Sequence, residues 1–454
     1  MYTSSALTAT PAKANPISRP TGIGWVVRSF GLLGMLAYLL ITPMPDSIGI
    51  LSCASVVVTC VVHAAVSDLR NGVRELLSLH NAVLLGLVAY AVPILVLFTL
   101  VEIPIVLDMA QTSLQRAARV TYISLAVAGL VAELLRGWAS SLHRYCLRRI
   151  AVNRTRRQYY ILALLVAVYA ANFLQGDVLS LLGSGNRFEL TQAFESGKMW
   201  LVQYLVTGAS VAFIYEHVGR RIARNAGYYL GLVSVVAFWL MYLSLGNRRG
   251  LITVILAAAI CFIARKRQAN RVIAILLLTF VAGGAIGVLR QDSSVSVDAE
   301  SALIGLTNFL GEFIYPGYTL VQTMEQNRPP TFEFTWISML YQLVAAQLSG
   351  APFAFLAHQF AIDTAPQGSD TVMGFAYLPI TEAYKNFGTT GAAVSGAAML
   401  VSVVALASAF RRWAWVYLLL FSLTLDMNRS EFAAMVIQFA IVAIGFQLTR
   451  RPRL

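Results

Sequence analysis

Charged residues are scarce in this sequence, and their scarcity excludes the soluble globular class before any motif is considered. Only 12% of its 454 residues are Asp, Glu, Lys or Arg, whereas soluble domains contain about a quarter. Hydrophobic residues make up 58% of the chain, and the mean hydropathy is +0.69. This composition predicts an all-α polytopic membrane protein.

Cysteines and catalytic signatures are also few. The four cysteines lie in apolar runs or basic stretches, without disulfide or metal-ligand spacing, so we assign them to packing. The sequence has no Walker loop, Rossmann glycine pattern, HExxH motif or nucleophile elbow. It also shows no chain of carboxylates inside the apolar runs, which a proton-coupled transporter usually has. We therefore expect neither a metal nor a cofactor.

Basic residues are in excess, and the formal net charge is +13. They fall in short clusters between apolar runs, which is the positive-inside pattern of membrane proteins and argues against a nucleic-acid partner. About twelve runs have the roughly 17 to 25 residues that a crossing requires. These runs begin near Trp25, Ile48, Asn81, Val120, Tyr159, Met199, Tyr228, Arg248, Arg271, Phe387, Trp413 and Phe432.

Alternation of these spans places five arginine-rich stretches on one side of the membrane. They are "HRYCLRRIAVNRTRRQ", "HVGRRIARN", "ARKRQANR", "RRW" and "TRRPRL". Both termini should therefore be cytoplasmic. We divide the chain into a disordered cytoplasmic tail (1–22), nine helices (23–289), a long periplasmic loop with short interfacial helices (290–385), and the last three helices with the C-terminus (386–454).

Five arginines fall on the outer side, where the positive-inside bias disfavours them. They are Arg187, Arg248, Arg249, Arg290 and Arg429. A single arginine at a helix end can simply snorkel to lipid phosphates. Several together favour a diphosphate site, because the planar guanidinium binds phosphate oxygens through two parallel hydrogen bonds.

The motif "TEAYKNFGTTG" begins the tenth predicted span and carries Glu382, Tyr384 and Asn386. A carboxylate beside an apolar helix can act as a general base, although Glu382 can equally pair with an arginine or with Lys385. His358 in the outer segment is a second candidate base. Glu312 and Tyr315, in "GEFIYPGYTL", can bind sugar or belong to an aromatic belt at the membrane interface.

Five motifs, "GNRFEL", "LGNRRGLI", "GEFIYPGYTL", "TEAYKNFGTTG" and "NRSEF", stand in this order on a frame of about twelve spans. With the long outer loop before the last three spans, they resemble the O-antigen polymerases, the Wzy-type repeat-unit polymerases of bacterial surface polysaccharide. The resemblance covers about Gly185 to Phe432. Relatives often have Gly and an acidic residue after the last arginine, whereas Ser430 precedes Glu431 here.

The resemblance implies a metal-independent, inverting glycosyltransferase with a GT-C-like membrane fold in the bacterial inner membrane. Its active site would face the periplasm and move a growing glycan from undecaprenyl diphosphate onto the next lipid-linked repeat unit. Arg248, Arg249 and Arg429 would correspond to the family's outer arginines, Arg187 to the one in the earlier outer loop, and Glu382 falls in its Glu-x-Tyr-x-Asn-Phe-Gly element. From the residues themselves we add Arg290 to the diphosphate site and His358 as the alternative base. Glu312, Tyr315, Tyr384 and Asn386 are the candidates for contacting sugar. Membrane lipids, a chain-length regulator and a flippase would be partners.

Two alternatives stay open at this point. An O-antigen ligase has the same architecture and arginine chemistry but transfers finished polymer to a lipid A core. A polysaccharide or lipid transporter would place polar or charged groups near the bilayer midplane. Asn172 and Gln203 are the polar candidates there. O-antigen, capsule and exopolysaccharide are not distinguished by the sequence.

Overall fold

A computed structural model describes twelve stretches of the chain: 22–70, 73–100, 111–152, 157–175, 199–220, 225–244, 249–266, 272, 316–326, 329–331, 377–428 and 430–451, with single positions between 335 and 345. The described chain is helical apart from turns and one isolated β-bridge between Arg157 and Arg450. The fold class is therefore all-α, as predicted.

The described helices are numbered here in chain order. In order they are α1 (Gly22–Ile41), α2 (Ser47–Arg70), α3 (Val73–Leu76), α4 (Leu79–Leu100), α5 (Gln111–Val152), α6 (Tyr159–Gln175), α7 (Met199–His217), α8 (Ala226–Ser244), α9 (Arg249–Lys266), α10 (Pro379–Ala409), α11 (Ala414–Ser422), α12 (Thr424–Met427) and α13 (Phe432–Leu448). Residues 316–325 are also helical.

Five of the described helices contain windows long and apolar enough to cross a membrane. These windows are Ile23–Ile41, Ser47–Asp68, Leu79–Leu97, Gln111–Val152 and Pro379–Ala409. Shorter apolar helices cover Tyr159–Leu174, Ala226–Tyr242 and Phe432–Leu448. Because apolar side chains surround these helices on most faces, they suit lipid and each other better than water. The protein is thus a helical protein of the membrane class.

Helices lie at eleven of the twelve predicted positions, and the run beginning near Arg271 falls outside the described residues except for Val272. Helix α5 is longer than predicted. Helix α5 has 42 residues, about 63 Å at the α-helical rise, so it is about twice as long as a hydrocarbon core is thick. Residues 143–152, predicted as a basic loop, continue this helix because nothing in them breaks it.

Close packing between helices depends on small residues. Helix α10 packs most extensively against α5, where the backbone N–H of Gly396 donates to the hydroxyl of Ser124 at 3.2 Å. Helices α7 and α13 approach so closely that a methyl group on Gly208 would overlap the Val442 carbonyl oxygen. Glycine at such contacts lets backbones touch, as is common between membrane helices.

The described parts of four arginine-rich stretches meet at one end of the bundle, which we call the arginine end. The guanidinium of Arg265, at the end of α9, donates to the carbonyl oxygens of Val218 and Ile150. Arg157 donates to the hydroxyl of Thr449 at 2.9 Å. Arginine is favourable here because its charge and donors satisfy the last carbonyls of α5 and α7. Consequently α9 and α13, which end here, begin at the opposite end.

Candidate functional site

Glu382 lies in the first turn of α10 and is only 1% exposed. One carboxylate oxygen lies 3.0 Å from the hydroxyl of Thr335, and the other accepts the backbone N–H of Phe432 at 2.6 Å. Phe432 is the first residue of α13. The carboxylate therefore binds the N-terminus of another helix, where unpaired N–H groups and the helix dipole favour a negative charge.

Asn386 fixes the direction of these hydrogen bonds. Its side-chain amide N–H donates to the Thr335 hydroxyl oxygen at 2.7 Å, and its amide oxygen accepts the Thr335 backbone N–H at 3.1 Å. The hydroxyl of Thr335 therefore uses its single hydrogen for Glu382. Both Glu382 oxygens accept, which suits an ionised carboxylate better than a carboxylic acid. The motif residues Glu382 and Asn386 are thus brought into one buried hydrogen-bonded group.

Asp426 joins a third motif to this region. Its carboxylate accepts the side-chain amide N–H of Gln438 at 2.9 Å and lies 3.4 Å from the hydroxyl of Thr253. Thr253 lies one turn after Arg249, which begins α9. The structure therefore gathers the ends of "LGNRRGLI", "TEAYKNFGTTG" and "NRSEF". We call Thr335, Glu382, Asn386, Asp426 and the N-terminus of α13 the carboxylate cluster.

The chain between α12 and α13 is a non-helical junction. Residues 414–427, which cover α11 and α12, rise only about 21 Å, and the 17 residues of α13 rise about 25 Å. Both are shorter than the roughly 30 Å hydrocarbon core, so neither segment alone would cross it as a helix. Such a junction is stable only when it is buried in protein or lines a cavity.

A glycine makes room for this junction. Asn428 is fully buried, and its side-chain amide N–H donates to the Thr424 carbonyl at 2.7 Å. A methyl group on Gly86 of α4 would overlap that amide. The close approach of α4 therefore holds the segment that precedes Arg429.

The remaining predicted site residues are placed as follows. Tyr384 is half-buried and packs on an apolar cluster that includes Tyr90 and Leu320, so it is not part of the carboxylate cluster. Arg249 is the first residue of α9, but its side chain is outside the described part of the structure. Seven predicted residues lie entirely outside the described positions: Arg187, Arg248, Arg290, Glu312, Tyr315, His358 and Arg429.

Sequence reasoning missed a second group of buried charges. The Arg28 guanidinium contacts the Glu133 carboxylate at 2.6 Å, and Arg136 contacts Asp68 at 2.7 Å and Glu133 at 2.9 Å. Asn81 donates to Asp68 at 2.7 Å. We call these five side chains the charge network. It joins α1, α2, α4 and α5 and places two carboxylates, Asp68 and Glu133, between these helices.

The available signal for the charge network was weak. Glu133 and Arg136 stand three residues apart in α5, a spacing that places them on one helix face. Arg28 and Asp68 are isolated charges near the ends of apolar runs, where snorkelling is the usual interpretation. Only the packing of four helices shows that these charges face each other. Within the described ranges, no three His, Cys, Asp or Glu side chains are grouped as around a metal ion.

Comparison with known proteins returned no relatives: no family model, no curated protein and no solved structure matches this chain.

Proposed function

We propose that this protein is a polymerase of bacterial surface polysaccharide that works at the outer face of the inner membrane. It would transfer a growing glycan from undecaprenyl diphosphate onto the next lipid-linked repeat unit, as a metal-independent inverting glycosyltransferase. The proposal includes about twelve spans in a GT-C-like arrangement, with both termini in the cytoplasm. Its partners would be the lipid-linked oligosaccharide, membrane lipids, a chain-length regulator and a flippase.

The convergence of three motifs supports this proposal. Glu382 of "TEAYKNFGTTG" accepts the backbone N–H of Phe432, the last residue of "NRSEF". Asp426, just before "NRSEF", lies 3.4 Å from the hydroxyl of Thr253, which directly follows "LGNRRGLI". All of them lie away from the arginine end. The first turns of α9, which Arg249 begins, therefore lie beside α12 in a polar region between apolar helices.

The proposed chemistry follows from these groups. When the bond to the diphosphate breaks, positive charge develops on the sugar ring and negative charge grows on the leaving phosphate. Arginines fixed near that phosphate would stabilise the charge, and one well-placed donor contributes roughly 3 kcal/mol to lowering the barrier. In this proposal Arg248, Arg249 and Arg429 bind the diphosphate, with Arg187 and Arg290 approaching from the outer segments.

A base must take the proton from the acceptor hydroxyl. Glu382 can do so if the acceptor replaces Thr335 as its hydrogen-bond partner. While the bond to Phe432 is retained, Glu382 also positions the segment around Arg429. His358 is the second candidate base in the outer segment, and Glu312, Tyr315, Tyr384 and Asn386 would contact sugar.

A gel of surface polysaccharide tests the proposal. A strain without the protein, compared with the complemented strain, should lose its ladder and retain material with a single repeat unit. The Arg429→Gln variant should reproduce this loss while being inserted at the normal level, and Arg148→Gln at the arginine end serves as the matched control. An unaltered ladder in the deletion strain would exclude the polymerase. Long polymer that remains lipid-linked would identify a ligase instead.

One observation favours transport as a second candidate function. The break between α12 and α13 lies beside buried carboxylates, and discontinuous helices of this kind often bind substrates of transporters. Radiolabelled lipid-linked repeat units in proteoliposomes distinguish the two functions. A transporter would change the side on which single units are exposed, whereas a polymerase would lengthen units already on the outer side.

A further inference from the structure

A groove at the arginine end has the features of a lipid-binding site. It lies between α5 and α10, has a volume of about 610 Å³, and is lined by Trp138, Ala405, Ser408, Ala409, Arg411 and Arg412. No carboxylate is among these lining residues. The groove therefore combines two positive charges with small and aromatic side chains.

Arg411 and Arg412 are available to a ligand. Both side chains are exposed, and within the described residues neither forms a side-chain hydrogen bond or ion pair. They follow the last turn of α10, where they offset the negative end of the helix dipole. This role needs no second partner, so their guanidinium groups remain free to bind phosphate oxygens, which they suit geometrically.

Two exposed tryptophans place the groove at the membrane interface. Trp138 is 44% exposed and Trp413 is 55% exposed, and tryptophan is enriched at the headgroup level of bilayers. Trp413 stacks on Phe410 and on Trp415, with ring centroids 5.4 Å and 6.3 Å apart. Trp415 in turn stacks on Phe446. The row of rings fixes the turn that carries Arg411 and Arg412.

Apolar surface adjoins the charged groove and indicates a lipid rather than a free anion. Leu134, one turn before Trp138, is 75% exposed, and Leu406 and Phe410 on α10 are also exposed. These side chains would face acyl chains while the arginines face the headgroup. Basic pockets between membrane helices commonly bind anionic phospholipids in this way. We propose that this groove is a binding site for the phosphate headgroup of an anionic phospholipid.

Native mass spectrometry of the full-length protein in detergent tests the site. The probes are phosphatidylglycerol and phosphatidylcholine with identical acyl chains. The wild type should retain phosphatidylglycerol preferentially, and Arg411→Gln with Arg412→Gln should weaken its binding roughly 25-fold, since each basic residue near an anionic lipid contributes about fivefold. The double lysine variant, Arg411→Lys with Arg412→Lys, should keep part of the affinity because it keeps the charge.

The matched control is Arg148→Gln with Arg149→Gln. These two adjacent arginines in the last turns of α5 are also exposed but do not line the groove. If both pairs of substitutions weaken binding equally, the effect is one of overall charge and the proposed site is wrong. Equal retention of the two lipids by the wild type would also overturn it. Displacement of phosphatidylglycerol by inorganic phosphate alone would show that the groove takes a free anion instead.

Discussion

The charge network and the carboxylate cluster both bury acidic side chains, but they pair them in different ways. In the charge network, Glu133 and Asp68 contact the guanidinium groups of Arg28 and Arg136 directly. In the carboxylate cluster, Glu382 accepts hydrogen bonds from a hydroxyl and a backbone N–H. Two arginines balance two carboxylates in the first case, whereas dipoles hold the carboxylate in the second.

This difference indicates that the charge network has a structural role, whereas the carboxylate cluster is a candidate functional site. Opposite charges that neutralise each other within four packed helices leave no net charge for a ligand, and they link the helices that carry them. A carboxylate held by neutral donors keeps its negative charge in the site. It can position, attract or deprotonate another group there. The following substitutions test whether the two clusters differ in this way.

The largest effect on stability should come from Glu133→Gln. It leaves Arg28 and Arg136 with Asp68 as the remaining carboxylate of the charge network, and breaking a buried pair costs about 3–5 kcal/mol. Thermal unfolding in detergent, followed by tryptophan fluorescence, should show a large fall in Tm. Polysaccharide synthesis per folded molecule should be unchanged.

A compensating substitution makes this prediction specific. Adding Arg28→Met to Glu133→Gln removes one positive charge as well, so the double variant should recover much of the lost stability. If the single variant is as stable as the wild type, the charge network does not hold α1 and α5 together. If the double variant is still less stable than the single one, its charges are not coupled.

A smaller loss of stability is expected for Glu382→Gln. The amide oxygen of glutamine can accept one hydrogen bond, but its NH₂ group cannot accept the N–H of Phe432. Losing a buried hydrogen bond to a charged group costs about 1.5–3 kcal/mol. In contrast to Glu133→Gln, polysaccharide chain length should fall even among correctly inserted molecules.

Thr335→Val and Thr335→Ser distinguish between two roles of Glu382, as a base and as the residue that positions α13. Valine removes the hydroxyl donor and leaves the bond to Phe432, whereas serine keeps both. If Glu382 mainly positions α13, the valine variant should polymerise nearly normally. Full polymer in Glu382→Gln itself would contradict any functional role for this carboxylate.

Gly86→Ala should affect function more than stability. The added methyl group would meet the end of the Asn428 side chain, which can move, so the cost in stability should be below about 1 kcal/mol. The displaced side chain should shift the segment before Arg429, and misplacement by about 1 Å can reduce catalysis up to about 100-fold. Polysaccharide gels measure this loss.

Gly34→Ala is the control for this substitution. Gly34 lies in α1, and a methyl group there would have nothing within 4 Å. It should leave both Tm and polysaccharide unchanged or raise Tm slightly, since alanine favours helix formation. Equal behaviour of the two alanine variants would show that the junction between α12 and α13 tolerates displacement.

The hydropathy pattern along the sequence predicted the positions of the described helices well. Helices α6, α7 and α13 begin at the predicted residues Tyr159, Met199 and Phe432, because each apolar run has a sharp polar boundary. Helices α5 and α10 begin earlier than their apolar runs. Their first turns are polar but helical, and Pro379 favours a helix start because its missing N–H has no partner to lose there.

The pairings between helices were beyond a single sequence. Glu382 was identified as a candidate base, but its bond to Phe432 joins positions fifty residues apart. Arg28 and Glu133 are 105 residues apart. The hydropathy pattern predicts where such residues lie along a helix, but it does not predict which other helices pack against that helix. The motifs therefore predicted candidate residues, and the packing showed which of the described ones touch.

The smallest effect on Tm should come from Arg144→Gln. Arg144 lies in α5, which also carries part of the charge network. Arg144 is 48% exposed and lies 3.3 Å from the carboxylate of Glu75 in α3. Such a half-exposed pair contributes less than about 1 kcal/mol. A Tm shift as large as that of Glu133→Gln would remove the distinction between buried and peripheral charge pairs.

The pH dependence of this small effect has a defined sign. Burial raises the pKa of Glu75 above its ordinary value, and Arg144 opposes that rise. A carboxyl group whose pKa is higher in the folded state favours folding below its unfolded pKa and loses that contribution as pH rises through the folded pKa. At low pH Glu75 is neutral and Arg144 has no charge to pair with, so wild type and variant should melt together. The Tm of Arg144→Gln should fall below that of the wild type as pH rises, and a difference that grows towards low pH would contradict the pairing.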